Sequence, residues 1–427
     1  MHQIDFDLSL DEISKIEGAA ALDLSVKNNQ VVKCQFKITE YKRFYTQAIK
    51  GKAAVAAPTL LARICGTCSN AHILAAIKAV ENALQITPSQ QTLTLRRLVN
   101  NGLIIRDHAL HLYLFVLPDL FDKDSLLDFD ENEPEQHQLL HDAFQVKDAG
   151  NQLSILTGGR SVHAPFPMVG GFLKFPEPAK TAAVINLLRD CRPAVKRLIT
   201  VFSDWPKSQA QTIPYLAYAN GRIKSSDGLD ISEADYRRHL QKKQLAYSQA
   251  SAYTYKEGFF MTGALARLNL QINPPAPFPS TNVYHNNLAQ AVEILQAIDD
   301  SIAILAKTKF MPEPLVKPTV TAGEGIGVVE APRGILYHRL TIVNNVIKNA
   351  EILVPTGQNQ LNIENDIKIL VNSHLRDSHL RGERSSHLGG VDQNLLSHEI
   401  EVLIRAYDPC MSCAAHFLKI NWHGQNR

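Results

Sequence analysis

Two Cys-x-x-Cys pairs sit near opposite ends of the chain. "ARICGTCSNAH" holds Cys65 and Cys68, and "DPCMSCAAH" holds Cys410 and Cys413. Matching cysteines are 345 positions apart, so any site built from all four requires a fold that brings the two ends together. Four thiolates suit zinc, an iron–sulfur cluster or another soft transition-metal centre. A zinc ribbon closes a short loop, about 15–20 residues between pairs. A loop spanning nearly the whole chain instead suits a site at the centre of a large domain. Arg63 and His72 flank the first pair, and Asp408 and His416 flank the second. A tetrathiolate zinc staple has no use for such groups, whereas a reactive centre needs proton carriers and fixed charge. Spacing alone leaves zinc, an iron–sulfur cluster and a catalytic metal open.

The remaining cysteines read as packed thiols. Cys34 falls on the apolar face of a hairpin and Cys191 on a helical segment. The 427 residues are 45% hydrophobic, enough for one large core or two to three ordinary ones. Lys plus Arg number 44 against 42 Asp plus Glu, which gives no reason to expect nucleic acid as a partner. The acidic start "MHQIDFDLSLDEISKIEG" lacks the features of a secretory signal. No apolar run approaches the roughly 18 residues of a membrane span, so the chain reads as cytoplasmic.

Leu22, Leu24 and Val26, then Val32, Cys34, Phe36 and Ile38, alternate with polar residues around Asn28-Asn29 and predict a β-hairpin. Thr87-Pro88-Ser89-Gln90 reads as a capping box opening a helix that ends at Pro118. Leu288, Val292, Leu295, Ile298 and Ile302 predict an amphipathic helix from Asn286. The acidic stretch 119–145 reads as a surface excursion. No repeat or Gly/Ser linker divides the chain. The expected fold is mainly α with a small N-terminal β-sheet, an α+β domain spanning 1–416. "GEGIGVV" at 323–329 resembles a dinucleotide-binding loop but lacks the third glycine, because position 328 is Val.

With these residues in place, the sequence resembles the large subunit of nickel–iron hydrogenases. "RICGTC" and "DPCMSCAAH" match the two signature motifs of that family. "KIEG" at 15–18, "RDHALHLY" at 106–113, "GGR" at 158–160, "EAPRG" at 330–334 and "VPTGQN" at 354–359 follow as further landmarks in order. Length and the "NNLAQAVEIL" segment are similar to the cytoplasmic, NAD(P)-linked branch that includes sulfhydrogenases.

The resemblance implies a role for each matching position. Cys65 and Cys410 would be terminal nickel ligands. Cys68 and Cys413 would bridge nickel to an iron carrying carbonyl and cyanide ligands. Glu17 would relay protons, although a glutamate on a loop before a strand ordinarily sits on the surface. Arg333 would hang over the open coordination site with Asp107 and Asp408 holding it, although Pro-Arg-Gly is otherwise an ordinary turn. His72 would donate to a bridging sulfur, and Pro332, Pro355 and Thr356 would surround the diatomic ligands. His108 and His111 read as hydrogen-bonding residues rather than ligands. His416 would sit near a magnesium or similar ion. Thr46 stands where the family has a carboxylate, which leaves that ion without its usual ligand.

The same resemblance implies H2 as substrate, an iron–sulfur small subunit, flavin and further iron–sulfur electron-transfer subunits, and a maturation endopeptidase. The endopeptidase would remove residues 417–427 as a C-terminal extension. The alternative functions are a hydrogen-sensing regulatory subunit and a zinc-stabilised interaction protein. A quinone-reacting relative of the same fold lacks the four cysteines and is disfavoured.

Overall fold

In the computed structural model, residues 4–41, 43–381 and 392–415 are described. Strands β1 (Phe6–Leu10), β2 (Ala20–Lys27) and β3 (Gln30–Ile38) form an antiparallel sheet. Short helices α1 (Tyr45–Ala48) and α2 (Ala57–Leu61) lead into α3 (Ser69–Leu84) and α4 (Gln90–Ala109), followed by α5 (Leu117–Leu120) and α6 (Pro134–Gly158). The ribbon β4 (Pro167–Met168) and β5 (Gly171–Phe172) precedes helices α7 (Pro178–Asp190) and α8 (Arg192–Asp204). Strands β6 (Leu216–Ala219), β7 (Arg222–Ser225) and β8 (Asp230–Ser232) form one sheet, and β9 (Leu240–Gln244) and β10 (Ser251–Tyr255) another. Helices α9 (Ala264–Asn269) and α10 (His285–Lys307) come next. They are followed by the sheet of β11 (Gly323–Ala331), β12 (Gly334–Val343) and β13 (Val346–Leu353). The chain closes on α11 (Pro355–Arg381), α12 (Gln393–Ala406) and α13 (Met411–Ala414).

The class is α+β, with more sheet than the expected N-terminal one. The Asn28-Asn29 hairpin is β2–β3, and both asparagines adopt positive φ, which Asn tolerates in a tight turn. The helix cap falls on Ser89, whose Oγ accepts from Thr92 N–H at 3.0 Å, rather than on Thr87. The helical path does not stop at Pro118. It widens into a π-helix over Leu110–Val116 and continues into α5, because Pro118 sits in the first turn of α5, where its missing N–H costs nothing. Residues 134–145 are not an excursion but the first half of α6, started by Pro134.

One apolar cluster runs from Ile4 to Ala415 and includes both cysteine pairs. Its centre is α3, which is buried nearly all round; Lys78 is its main polar exit, pairing with Glu233. The glycines of β11 explain "GEGIGVV". Gly323, Gly325 and Gly327 alternate on the strand face turned to α3. A Cβ on each would come within 2.0–2.2 Å of the carbonyls of Ala83, Ala79 and Ala75. The motif permits helix–strand contact and forms no phosphate loop. Among the described residues, no helix is long and apolar enough to cross a membrane.

Candidate metal centre

The N-terminal turn of α3 and the short α13 meet at the centre of the core. Cys65 ends a 3-10 turn in extended conformation, and Cys68 caps α3. Cys410 opens α13, and Cys413 lies within it. Residues 16–18 lie alongside. Met411 N–H donates to Glu17 O at 2.9 Å, and Glu17 and Cys410 form a parallel bridge. No disulfide joins the four cysteines, all are buried, and their sulfurs lie within 4.8 Å of one another. Cys65 Sγ is 3.4 Å from Cys410 Sγ, Cys68 Sγ 2.9 Å from Cys413 Sγ, and Cys410 Sγ 3.0 Å from Cys413 Sγ.

Hydrogen bonds from the other three thiols hold Cys65 well below the usual thiol range. Burial pushes Cys410 and Cys413 well up, and Cys68 rises to about 11 despite hydrogen bonds from Cys410 and Cys413. Unaided, the cluster therefore favours the thiolate at Cys65 over the other three. A soft divalent cation would turn the set into four thiolates, so the donors fit such a metal.

The polar groups around the sulfurs come from elements and loops spread along the chain. Glu17 Oε2 lies 3.0 Å from Cys410 Sγ and accepts from Ser412 N–H at 3.1 Å. Burial, and then the neighbouring Cys65 charge, push the Glu17 carboxyl above its ordinary pKa and favour its protonated form. His72 Nε2 lies 3.6 Å from Cys413 Sγ, and Nδ1 lies 3.1 Å from His338 Nε2. Burial lowers His72 to about 4, so its imidazole is neutral. Arg333 NH1 donates to Asp107 Oδ2 at 2.7 Å, and NH2 lies 2.7 Å from Asp408 Oδ1 in an ion pair without hydrogen-bond alignment. Burial opposes the Arg333 charge, but Asp107 and Asp408 override it and raise the group well above its usual range. Asp408 takes a left-handed φ of 49°, an uncommon conformation, and accepts from Gln290 Nε2 at 2.9 Å. Thr356 Oγ1 accepts from Cys410 N–H at 2.9 Å.

Pro332, Arg333, Pro355, Thr356 and His72 line, with Cys68, Cys410 and Cys413, one small cavity of about 10 Å³. Arg333 Nε and Asp107 Oδ1 lack hydrogen-bond partners among the described residues, leaving polar capacity beside it. Thr46 is buried in α1. His416 and the stretch 417–427 lie outside the described residues.

Reading the sequence did not single out His338, Gln290, Glu293 or Arg267. His338 occupies the inward register of β12 between Leu336 and Leu340, a polar residue on an apolar stripe. Gln290 and Glu293 fall on the buried face of α10 with Ala297 and Ser301 at helical spacing. His111 reaches across the core, with Nδ1 2.6 Å from Gln290 Oε1 and Nε2 2.8 Å from Arg405 O.

A buried tetrathiol cluster gathered from both ends of an α+β chain, with a fixed guanidinium and a protonatable carboxyl beside it, defines a metal-centred redox enzyme of the hydrogenase type. The family profile described as nickel-dependent hydrogenase matches residues 43–155 and 276–416, and the chain belongs to that family. It is 30% identical to sulfhydrogenase 2 subunit alpha of Pyrococcus furiosus, covering 97% of this chain and 100% of that one. It is 28% identical to sulfhydrogenase 1 subunit alpha of the same organism, covering 98% and 100%. The crystal structure of an NAD+-reducing [NiFe]-hydrogenase in the H2-reduced state superposes with a TM-score of 0.83 at 22% identity, covering 96% of this chain and 99% of that one.

Proposed function

We propose that this chain is the catalytic large subunit of a cytoplasmic, NAD(P)-linked nickel–iron hydrogenase, catalysing H2 ⇌ 2H⁺ + 2e⁻. Cys65 and Cys410 would hold the nickel, and Cys68 and Cys413 would hold both it and an iron with carbonyl and cyanide ligands. When bound, the metal pair supplies heterolytic cleavage of H2 and takes up its electrons. The protein supplies the rest. Glu17 receives a proton from the Cys410 side and passes it outward. Arg333 presents a charge that cannot rotate away, because Asp107 and Asp408 flank it. His72 holds the Cys413 sulfur, and Pro332, Pro355 and Thr356 shape the cavity.

Electrons must leave through a partner. Four of the six cysteines are committed here, and Cys34 and Cys191 are buried apart, their thiols raised by burial to about 12. An iron–sulfur small subunit takes the electrons, and flavin and further iron–sulfur subunits pass them to NAD(P)+. Thr46 in place of a carboxylate speaks against magnesium beside His416. An endopeptidase removes residues 417–427 once metals are seated; intact mass of nickel-loaded protein ending at His416 supports this, and full turnover with Arg427 retained contradicts it.

The observation that carries the reading is the 3.0 Å contact between Glu17 and Cys410 inside the tetrathiol cluster. Glu17→Gln keeps shape and an acceptor for Ser412 N–H but loses acid–base capacity. Exchange between D2 and solvent protons should fall by about 10²-fold or more at unchanged nickel content. Undiminished exchange rules Glu17 out as the proton carrier.

A further inference from the structure

Arg267, in the short helix α9, uses every N–H it has. Nε and NH2 donate to the two oxygens of Glu293 at 2.6 and 2.7 Å. NH1 donates to Glu330 Oε2 at 2.7 Å and to Ala331 O at 3.0 Å, and NH2 also reaches Pro332 O at 2.9 Å. The last two acceptors are the backbone carbonyls immediately before Arg333. A planar guanidinium bonded at five points cannot turn without breaking several bonds together.

Both carboxylates lead back to the centre. Glu293, on α10, also bonds His108 Nε2 at 2.9 Å, and His108 follows Asp107, the residue that holds Arg333. Glu330 also accepts from Tyr218 N–H at 2.6 Å, fixing the end of β11. The segment of Arg267 interlocks with that of Arg333. Ile335 N–H donates to Thr262 Oγ1 at 3.0 Å. Gly334 has a φ of 128°, and a Cβ there would come within 2.5 Å of Thr262 Oγ1. A Cβ on Gly263 would meet Arg333 O at 3.3 Å.

We propose that Arg267 is a positioning residue for the hydrogenase reaction: its guanidinium locks the 331 and 332 carbonyls and the Glu330 side chain to Glu293 and so fixes where Arg333 stands over the cavity. It touches neither metal nor substrate and acts through Arg333. The proposal rests on the reading that Arg333 faces the reacting site. A lysine at 267 would keep the positive charge but offers one ammonium in place of a five-point fork, so the 331 and 332 carbonyls lose their shared anchor.

The test uses the complete enzyme with its partner subunits. Arg267→Lys and Arg333→Lys are compared with the parent by nickel and iron content, by the infrared cyanide and carbonyl bands of the iron, and by kcat and KM for H2. For Arg267→Lys the metal content stays normal, the cyanide bands shift, and kcat falls about tenfold with KM unchanged. Parental bands and kcat in Arg267→Lys, while Arg333→Lys is impaired, overturn the clamp and leave the role of Arg333 standing. Full turnover in Arg333→Lys overturns the underlying reading instead. If Arg267→Lys yields no loaded protein, Glu330→Gln decides, because its amide nitrogen must face a donor, either Arg267 NH1 or Tyr218 N–H. Shifted cyanide bands then uphold the proposal, and parental bands and kcat overturn it.

Discussion

Glu364 shows how a single buried carboxyl sets pH behaviour away from the metal centre. Burial raises it to about 7, against the bonds it accepts from Tyr247 and from Phe36 N–H. A carboxyl raised in the folded state stabilises the fold only while protonated. Its contribution is complete below the ordinary value of 4.5 and is lost as pH rises through about 7. Glu364→Gln should therefore match the parent's pH trend below about 4.5 and gain on it between pH 5 and 8. The relative gain should be on the order of 3 kcal/mol. Denaturant titrations of both proteins across that range measure it, and a difference that stays flat or shrinks with pH contradicts the account. At this scale, the four cysteines were legible because paired spacing is a chemical signature. Glu17 and Arg333 stood out only through the motifs around them. His338, Gln290 and Arg267 were invisible because each is a polar residue turned wholly or largely away from solvent, and a pattern of apolar residues assigns polar ones to the surface.

Among the elements, β11 and α3 carry the geometry on which the centre depends. α3 brings Cys68 and His72, and β11 leads directly into the loop of Arg333. They pack backbone to backbone, so a side chain cannot be added between them without forcing them apart. Gly327→Ala would place its Cβ 2.1 Å from Ala75 O. The expected cost is about 2–3 kcal/mol, with a lower thermal midpoint and less nickel incorporated, because the first cysteine pair moves relative to Arg333. A thermal melt and a metal assay check this; a variant with the parent's midpoint and nickel content would show that the packing yields. The hairpin β2–β3 and helix α10 were readable from period and turn residues. The strand β11 was not, because glycine hides alternation, and the π-helix after Ala109 was not, because an extra residue per turn leaves no compositional mark.

For the molecule as a whole, the decisive feature is closure of a loop of hundreds of residues onto one cluster. Separation of the cysteine pairs implied this from the start, since only a large shared core makes such a loop useful. What remained hidden was the means: one continuous apolar cluster containing α3, α10, α12 and the β2–β3 hairpin, with the chain's first described residues already inside it. The proposed electron-transfer partner is supported by the same count of cysteines, because only Cys34 and Cys191 remain beyond the four and an iron–sulfur cluster takes four ligands. The central claim is that the four thiols hold a nickel–iron pair with diatomic ligands on iron. Elemental analysis combined with infrared spectroscopy of the mature protein tests it most directly. The account predicts nickel and iron in equal amounts, with carbonyl and cyanide stretching bands; zinc as the sole bound metal, with no such bands, would contradict it.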